Sequence, residues 1–247
     1  SDHTNPPIGP YFTFSDRINR MIVDETKGAG LPVVTHTTSV ESLRTAIDLR
    51  VDAMMHCTIT SQAPIPQDLV EQMIRDTVWG EIQPTTRKFQ ASMDKRKDRW
   101  AAYAGGVHRE NAIRLIAAKA PILMGTDAGC TDPDIVADLL PEEKEERPWT
   151  LGEDHFHWFT AMAEMGMAPM AQILAATRNV AVAYGKADQI GTVAPGRYAD
   201  MLVLDANPLV DIANISRIAM VIKAGETVDR DALPTQKVAT RPRFWCD

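Results

Sequence analysis

Cysteine is scarce in this sequence, long apolar runs are missing, and positive charge is not in excess. Three of the 247 residues are cysteine, and this small, odd number argues against a disulfide framework and favours a reducing, cytoplasmic location. No uninterrupted apolar segment is long enough to cross a bilayer. The net charge of −7 offers no basic surface for nucleic acid or an anionic membrane. We therefore expect neither nucleic acid nor a membrane as a partner.

Short apolar runs of strand length alternate with stretches of helical periodicity in the first part of the chain. Hydrophobic residues make up 45% of the sequence, which is enough for a large core. The strand candidates are residues 31–36, 51–56, 78–82 and 121–125. Helical patterns lie between them, such as that of Leu43, Ala46 and Ile47. This alternation predicts an α/β fold with a parallel sheet.

Polar side chains follow three of these runs at the point where each run ends. They are His36, His56 and Asp127. Taken singly, each has an ordinary structural explanation, as a satisfied core histidine or as a turn aspartate. The carboxyl ends of parallel strands meet at one face, however, so the three side chains are expected to converge. Two imidazoles and a carboxylate suit Zn²⁺ or a similar divalent ion.

Three further residues are candidates for lining a pocket, and a fourth, His108, is not. Gln83 and Thr85 end the third strand candidate and are predicted to contact substrate. Cys57 follows His56, and for it a pocket-lining role and simple packing remain equally open. His108 precedes a helical pattern, so we expect a surface or capping group.

The last part of the chain has a different pattern, typical of a small all-β unit. Turn signals such as Pro195-Gly196 and Asn207-Pro208 separate its short strand candidates. These candidates are residues 190–193, 199–204, 218–222 and 226–228. Residues 1–10, rich in proline and glycine, are predicted to form a loop.

Two motifs resemble the metal-dependent amidohydrolase superfamily, most closely its imidazolonepropionase-like branch. One is Gly125-Thr126-Asp127-Ala128, which resembles the eighth-strand motif with its catalytic aspartate. The other, residues 190–205, resembles the C-terminal signature of the superfamily. The resemblance implies that residues 1–187 form the C-terminal half of a TIM-like (β/α)8 barrel. It further implies that residues 188–233 form part of a β-sandwich and residues 234–247 a C-terminal tail.

The resemblance also indicates what is missing. The superfamily takes metal ligands from a His-x-His pair on the first strand and from a lysine or glutamate on the fourth. The only His-x-His here, His155-Phe156-His157, enters a helical pattern instead. We therefore expect the N-terminal half of the barrel to come from upstream residues or from a separate chain. A homo-oligomer is also expected.

The chemistry implied by the resemblance is hydrolysis of an amide or other C–N bond in a small molecule. One or two divalent ions, expected to be Zn²⁺, would be held by His36, His56 and Asp127. A metal-activated hydroxide would attack the carbonyl carbon, with Asp127 as the proton shuttle. Deaminases of the superfamily place a glutamate at the position of Ser39, which argues against deamination. The alternative is a non-catalytic scaffold or regulatory homologue that has lost the metal.

Overall fold

The structure, a computed structural model, describes residues 2–5, 9–61, 63–95, 107–128 and 152–233. These residues form an α/β fold with one parallel and one antiparallel sheet of more than two strands. The tail predicted at 234–247 lies outside the described residues. None of the described helices is long and apolar enough to cross a membrane.

The parallel sheet carries the first part of the chain and confirms the predicted α/β alternation. Its four strands are hydrogen-bonded in the order β3-β4-β5-β6, with every neighbouring pair parallel. The strands are β3 Val34–His36, β4 Ala53–Met55, β5 Trp79–Ile82 and β6 Ile122–Met124. The helices that precede and connect them are α1 Asp16–Gly28, α2 Val40–Asp48, α3 Gln67–Asp76, α4 Arg87–Lys95 and α5 Val107–Ala117. All four strands run in one direction, so their carboxyl ends lie at the same end of the sheet.

The core forms where the apolar faces of these helices pack on the sheet. Leu43 and Ile47 of α2 and Leu69 and Met73 of α3 are each at most 2% exposed. In each helix the two residues are four positions apart, so they lie on one face, and this apolar face packs on the sheet. A Ser39–Ser42 capping box fixes the start of α2 just after the end of β3.

Three further helices follow, α6 Glu153–Glu164, α7 Pro169–Ala176 and α8 Arg178–Ala183. Thr177, with φ −132° and ψ −88°, separates α7 from α8. The indole nitrogen of Trp158 on α6 donates a hydrogen bond to the carbonyl of Ile82 at 2.7 Å. This bond ties α6 to the end of β5.

The antiparallel sheet contains β7 Met201–Leu204, β8 Ile218–Lys223 and β9 Glu226–Thr227. A 3₁₀ helix, Ile212–Ser216, connects β7 to β8, and its Ile212 joins the main core. The strand predicted at 190–193 is wrong. Gly191 there has φ 90° in a bend, and an added Cβ would lie 2.6 Å from Cβ of Ala181. Gly191 allows this segment to pack closely against α8. The apolar pattern of residues 190–193 is the same for such a packed bend as for a strand, so the sequence could not separate the two.

The loop predicted at residues 1–10 is also wrong in part. Residues Asp2–Asn5 (β1) pair with Gly9–Phe12 (β2) as an antiparallel hairpin. Its proline residue, Pro10, is compatible with a strand because a two-stranded pair consists only of edge strands.

Candidate active site

Three residues that the sequence singles out lie together at the carboxyl end of the parallel sheet. His36 is the last residue of β3, His56 follows β4, and Asp127 follows β6. The ring centroids of His36 and His56 are 5.0 Å apart, with the rings tilted by 30°. Nε2 of His56 lies 3.3 Å from Oδ2 of Asp127. The parallel register of the strands produces this arrangement, because it aligns their ends.

The backbone turns sharply at two of these positions. His56 has φ 56° and Asp127 has φ 53°, both in the left-handed region that residues other than glycine adopt infrequently. Asp and His are enriched there, but the conformation still costs about 1–3 kcal/mol, and such residues cluster at functional sites. Strain at the ends of β4 and β6 indicates that the surrounding structure enforces the placement of both side chains.

Asp127 is held by an amide from the neighbouring strand end. Nε2 of Gln83 donates a hydrogen bond to Oδ2 of Asp127 at 2.5 Å. The Asp127 side chain is 28% exposed, whereas Gln83 is buried. The sequence predicts that Gln83 contacts substrate, whereas in the structure its side-chain amide is hydrogen-bonded to Asp127. Thr85 is buried, and its carbonyl accepts a hydrogen bond from Nη1 of Arg109 at 2.7 Å.

Glu81 belongs to this cluster and was missed by the sequence analysis. It lies in β5 and is 2% exposed, and its Oε2 accepts a hydrogen bond from the backbone N–H of His56 at 2.9 Å. Burial, reinforced by the nearby Asp127, raises the pKa of Glu81 to about 8, although the bond from His56 opposes this. Glu81, Gln83 and Thr85 follow at a spacing of two residues, which places them on one face of a strand. That spacing is the sequence signal from which Glu81 could have been assigned to the site together with Gln83 and Thr85.

Burial also acts on His56 itself. Desolvation lowers the pKa of His56, an effect that Asp127 opposes and His36 reinforces. The ring is 5% exposed, so the neutral imidazole, the form that binds metals, is favoured.

His108 is not a surface or capping group, and that prediction is wrong. It is 4% exposed and shares a hydrogen bond of 2.8 Å between its Nδ1 and Oγ1 of Thr58. Burial lowers the pKa of His108 to about 4, with a smaller contribution from the charge of His56. The partner is 50 residues away in the sequence, so local pattern could not indicate the contact.

Asn111 holds the loop that follows His56. Its Nδ2 donates to the carbonyl of Thr58 at 3.1 Å and to Oγ1 of Thr60 at 2.9 Å. Its Oδ1 accepts from the backbone N–H of Ile65 at 2.8 Å. Helix α5 therefore fixes Thr58, Thr60 and Ile65, and with them the exit of β4.

Cys57 lies in the hydrophobic core and is 0% exposed. Burial, together with the nearby Glu81, raises the pKa of its thiol. Of the two roles that the sequence left open, its side chain therefore has the packing role.

The donor set for a metal is partial. Within the described part of the chain, no group of three or more His, Cys, Asp or Glu side chains is arranged to hold an ion. His155 and His157, the only His-x-His pair, lie in helix α6, as their helical pattern predicts. In the same described residues, Nδ1 of His56 and Oε1 of Glu81 are buried without a hydrogen-bond partner.

Comparison with known proteins identifies the family. A model of the Amidohydrolase family matches residues 7–228. This chain belongs to the amidohydrolase family. The imidazolonepropionase of Syntrophobacter fumaroxidans (strain DSM 10017 / MPOB) is 25% identical over 195 residues, which cover 78% of this chain and 38% of that protein. The imidazolonepropionase of Geobacillus kaustophilus (strain HTA426) is 28% identical over 125 residues, or 49% and 26% of the two chains.

Two solved structures are more similar still. A molinate hydrolase is 50% identical, with a TM-score of 0.89 over 95% of this chain and 50% of that one. Phenylurea hydrolase B is 44% identical, with a TM-score of 0.87 over 94% of this chain and 51% of that one. The chain thus spans about half the length of these amidohydrolases, and less of the curated relatives.

Proposed function

We propose that this chain is part of a metal-dependent hydrolase that cleaves an amide or other C–N bond of a small molecule. The observation that carries the proposal is the meeting of His36, His56 and Asp127 at the carboxyl end of a parallel sheet. Membership of the amidohydrolase family supports the reaction class. The likeness to a molinate hydrolase and to phenylurea hydrolase B supports a non-peptide substrate.

The residues present fit a divalent ion in their chemistry. Two imidazoles and a carboxylate are ligands that Zn²⁺ accepts, and neutral His56 keeps a nitrogen lone pair available. Further ligands are needed, because no three such side chains among the described residues are arranged to hold an ion by themselves. In this proposal His36, His56 and Asp127 contribute ligands from this chain.

A bound ion would supply Lewis acidity, lowering the pKa of water to about 7 and polarising the carbonyl group. Asp127 would accept the proton of the attacking water and pass it to the leaving nitrogen. Gln83 supports this role, because its hydrogen bond fixes Oδ2 of Asp127. Partial exposure of Asp127 leaves it accessible to a substrate at the end of the sheet.

We further propose that residues 1–187 are half of a (β/α)8 barrel and residues 188–233 part of a β-sandwich, as the resemblance implies. The described parallel sheet has four strands, half the number of such a barrel, and ends on β3 and β6. The complement would carry the remaining strands and metal ligands.

The test is hydrolysis of a panel of small molecules, one for each kind of C–N bond under consideration. The panel contains a phenylurea, the thiocarbamate molinate, an N-acyl amino acid and an Xaa-Pro dipeptide. We expect release of the amine from at least one, loss of activity with a chelator, and recovery with Zn²⁺. Protein that retains zinc but cleaves none of them would contradict the proposal. Protein that neither retains zinc nor turns over would favour the alternative, a non-catalytic homologue.

A further inference from the structure

Glu81 has a buried carboxyl group that the proposed reaction does not use. Its strand, β5, lies between β4, which leads to His56, and β6, which leads to Asp127. Only 2% of Glu81 is exposed, and within the described residues its single ion-pair contact is to His56. Burying a carboxylate without a cationic partner is costly. Core packing alone therefore does not account for a glutamate at this position.

Both polar contacts of the Glu81 side chain are with His56. Its Oε2 accepts the backbone N–H of His56 at 2.9 Å and lies 3.4 Å from Nδ1 of the same imidazole. That nitrogen has no hydrogen-bond partner among the described residues, so a small rotation of the ring would complete a bond to Oε2. An Nδ1–H that donates to Oε2 leaves the lone pair on Nε2, the nitrogen that faces Asp127.

Gly125 provides the space in which this carboxylate lies. A Cβ added at Gly125 would lie 2.0 Å from both Cγ and Oε1 of Glu81. The φ of Gly125 is not in the left-handed region, so the backbone does not require glycine there. The glycine is needed because Glu81 occupies the volume that any other side chain would fill.

We propose that Glu81 is a positioning residue: its Oε2 holds the backbone and the imidazole of His56 so that Nε2 faces the ion, in a space left by Gly125. This inference rests on the proposed function, in which His56 is a metal ligand. Groups that hydrogen-bond to a metal-binding histidine typically alter metal affinity by about 10–100-fold when they are mutated.

Two substitutions of Glu81 by residues of similar size distinguish a role in positioning His56 from a role in core packing. Glu81→Gln keeps an oxygen that accepts hydrogen bonds, whereas Glu81→Met fills the space without one. Glu25→Gln makes the same substitution at an exposed position of α1 and is the matched control.

All variants are made in the protein that carries this chain together with its N-terminal complement. The space provided by Gly125 is tested by a double-mutant cycle in that protein without metal. Gly125→Ala should lower the free energy of unfolding in the presence of Glu81 and much less in a Glu81→Ala background, because the clashing atoms are then gone. If Gly125→Ala lowered the free energy of unfolding equally in both backgrounds, Gly125 would not be providing space for the Glu81 side chain, and that part of the proposal would be wrong.

The positioning role is tested by nitrogen NMR of the histidine rings without metal, with His56 assigned through His56→Gln. We expect the Nδ1–H tautomer in the wild type and in Glu81→Gln. In Glu81→Met the proton should move to Nε2, because Asp127 is then the carboxylate left beside the ring. An unchanged tautomer in Glu81→Met would overturn the proposal. So would a Glu81→Gln variant that behaves like Glu81→Met, because the loss would then not follow the acceptor oxygen.

Zinc affinity, measured by competition with a chromophoric chelator, gives the second readout. We expect about 10–100-fold weaker binding in Glu81→Met and affinity near that of the wild type in Glu81→Gln and Glu25→Gln. Wild-type affinity in Glu81→Met would overturn the proposal. A wild type that does not bind zinc would contradict the proposed function instead, and the tautomer of His56 would still decide the role of Glu81.

Discussion

At the scale of single residues, the site depends on a few side chains that hold one another in unusual conformations. Asp127 combines a left-handed backbone with a carboxylate whose Oδ2 contacts both Gln83 and His56. Asparagine tolerates the same backbone region and has nearly the same shape. The Asn amide can place its oxygen where Oδ2 of Asp127 lies and still accept the hydrogen bond from Gln83, while the group that takes up the proton is lost.

Asp127→Asn is therefore expected to leave the fold intact and to reduce turnover by about 10²–10⁴-fold, the usual contribution of a general acid or base. The measurement is kcat on the best substrate of the panel, beside a thermal unfolding curve. Asp205→Asn, in the loop after β7, is the control for the same chemical change away from the site. Near-normal turnover in Asp127→Asn would rule out the proton-shuttle role.

At the scale of elements, helix α5 connects the exit of β4 to the core through His108 and Asn111. The pKa of His108 is about 4 in the folded chain and near 6.5 when the side chain is free. Between these values the unfolded chain binds more protons. The contribution of neutral His108 to stability is therefore complete above pH 6.5 and is lost as the pH falls towards 4.

His108→Gln is expected to weaken this pH dependence, because glutamine can still bond to Thr58 but does not titrate. The measurement is the melting temperature of the metal-free protein above pH 6.5 and at about pH 5. His155→Gln, which removes an exposed histidine on α6, should retain the wild-type difference. An equal drop in melting temperature in the wild type and in His108→Gln would contradict the assignment.

Elements whose sequence signal is local could be predicted from the sequence. The strands that lead to His36, His56 and Asp127 were predicted because apolar runs end abruptly on polar residues. Glu81 and His108 were missed or misassigned because their burial depends on partners 25 and 50 residues away. Ile190 and its neighbours have the composition of a strand, but they bend because Gly191 packs against α8.

At the scale of the whole molecule, the parallel sheet has an apolar flank at β3. Leu31 and Val34 are 60% and 37% exposed, and Phe14 and Ile22 line a groove of about 220 Å³ that reaches His36. In the described residues β3 has no strand on its outer side. A sheet edge with exposed apolar residues promotes aggregation.

We expect residues 1–247 expressed alone to aggregate. Co-expression with the N-terminal half of a homologue such as the molinate hydrolase should yield a discrete complex, because its barrel strands would cover β3. Size-exclusion chromatography with light scattering compares the two preparations. A monodisperse, zinc-loaded and active chain without any complement would contradict the half-barrel proposal.

The proposed hydrolase depends on histidine ligands from this chain for a catalytic metal ion. Metal content should therefore be measured in the purified protein that carries this chain, for the wild type, His36→Gln, His56→Gln and the exposed control His155→Gln. We expect about one divalent ion or more per chain in the wild type and in the control, with a clear loss in His36→Gln and His56→Gln. A wild type without metal, or His36 and His56 variants that retain it in full, would show that these histidines are not metal ligands.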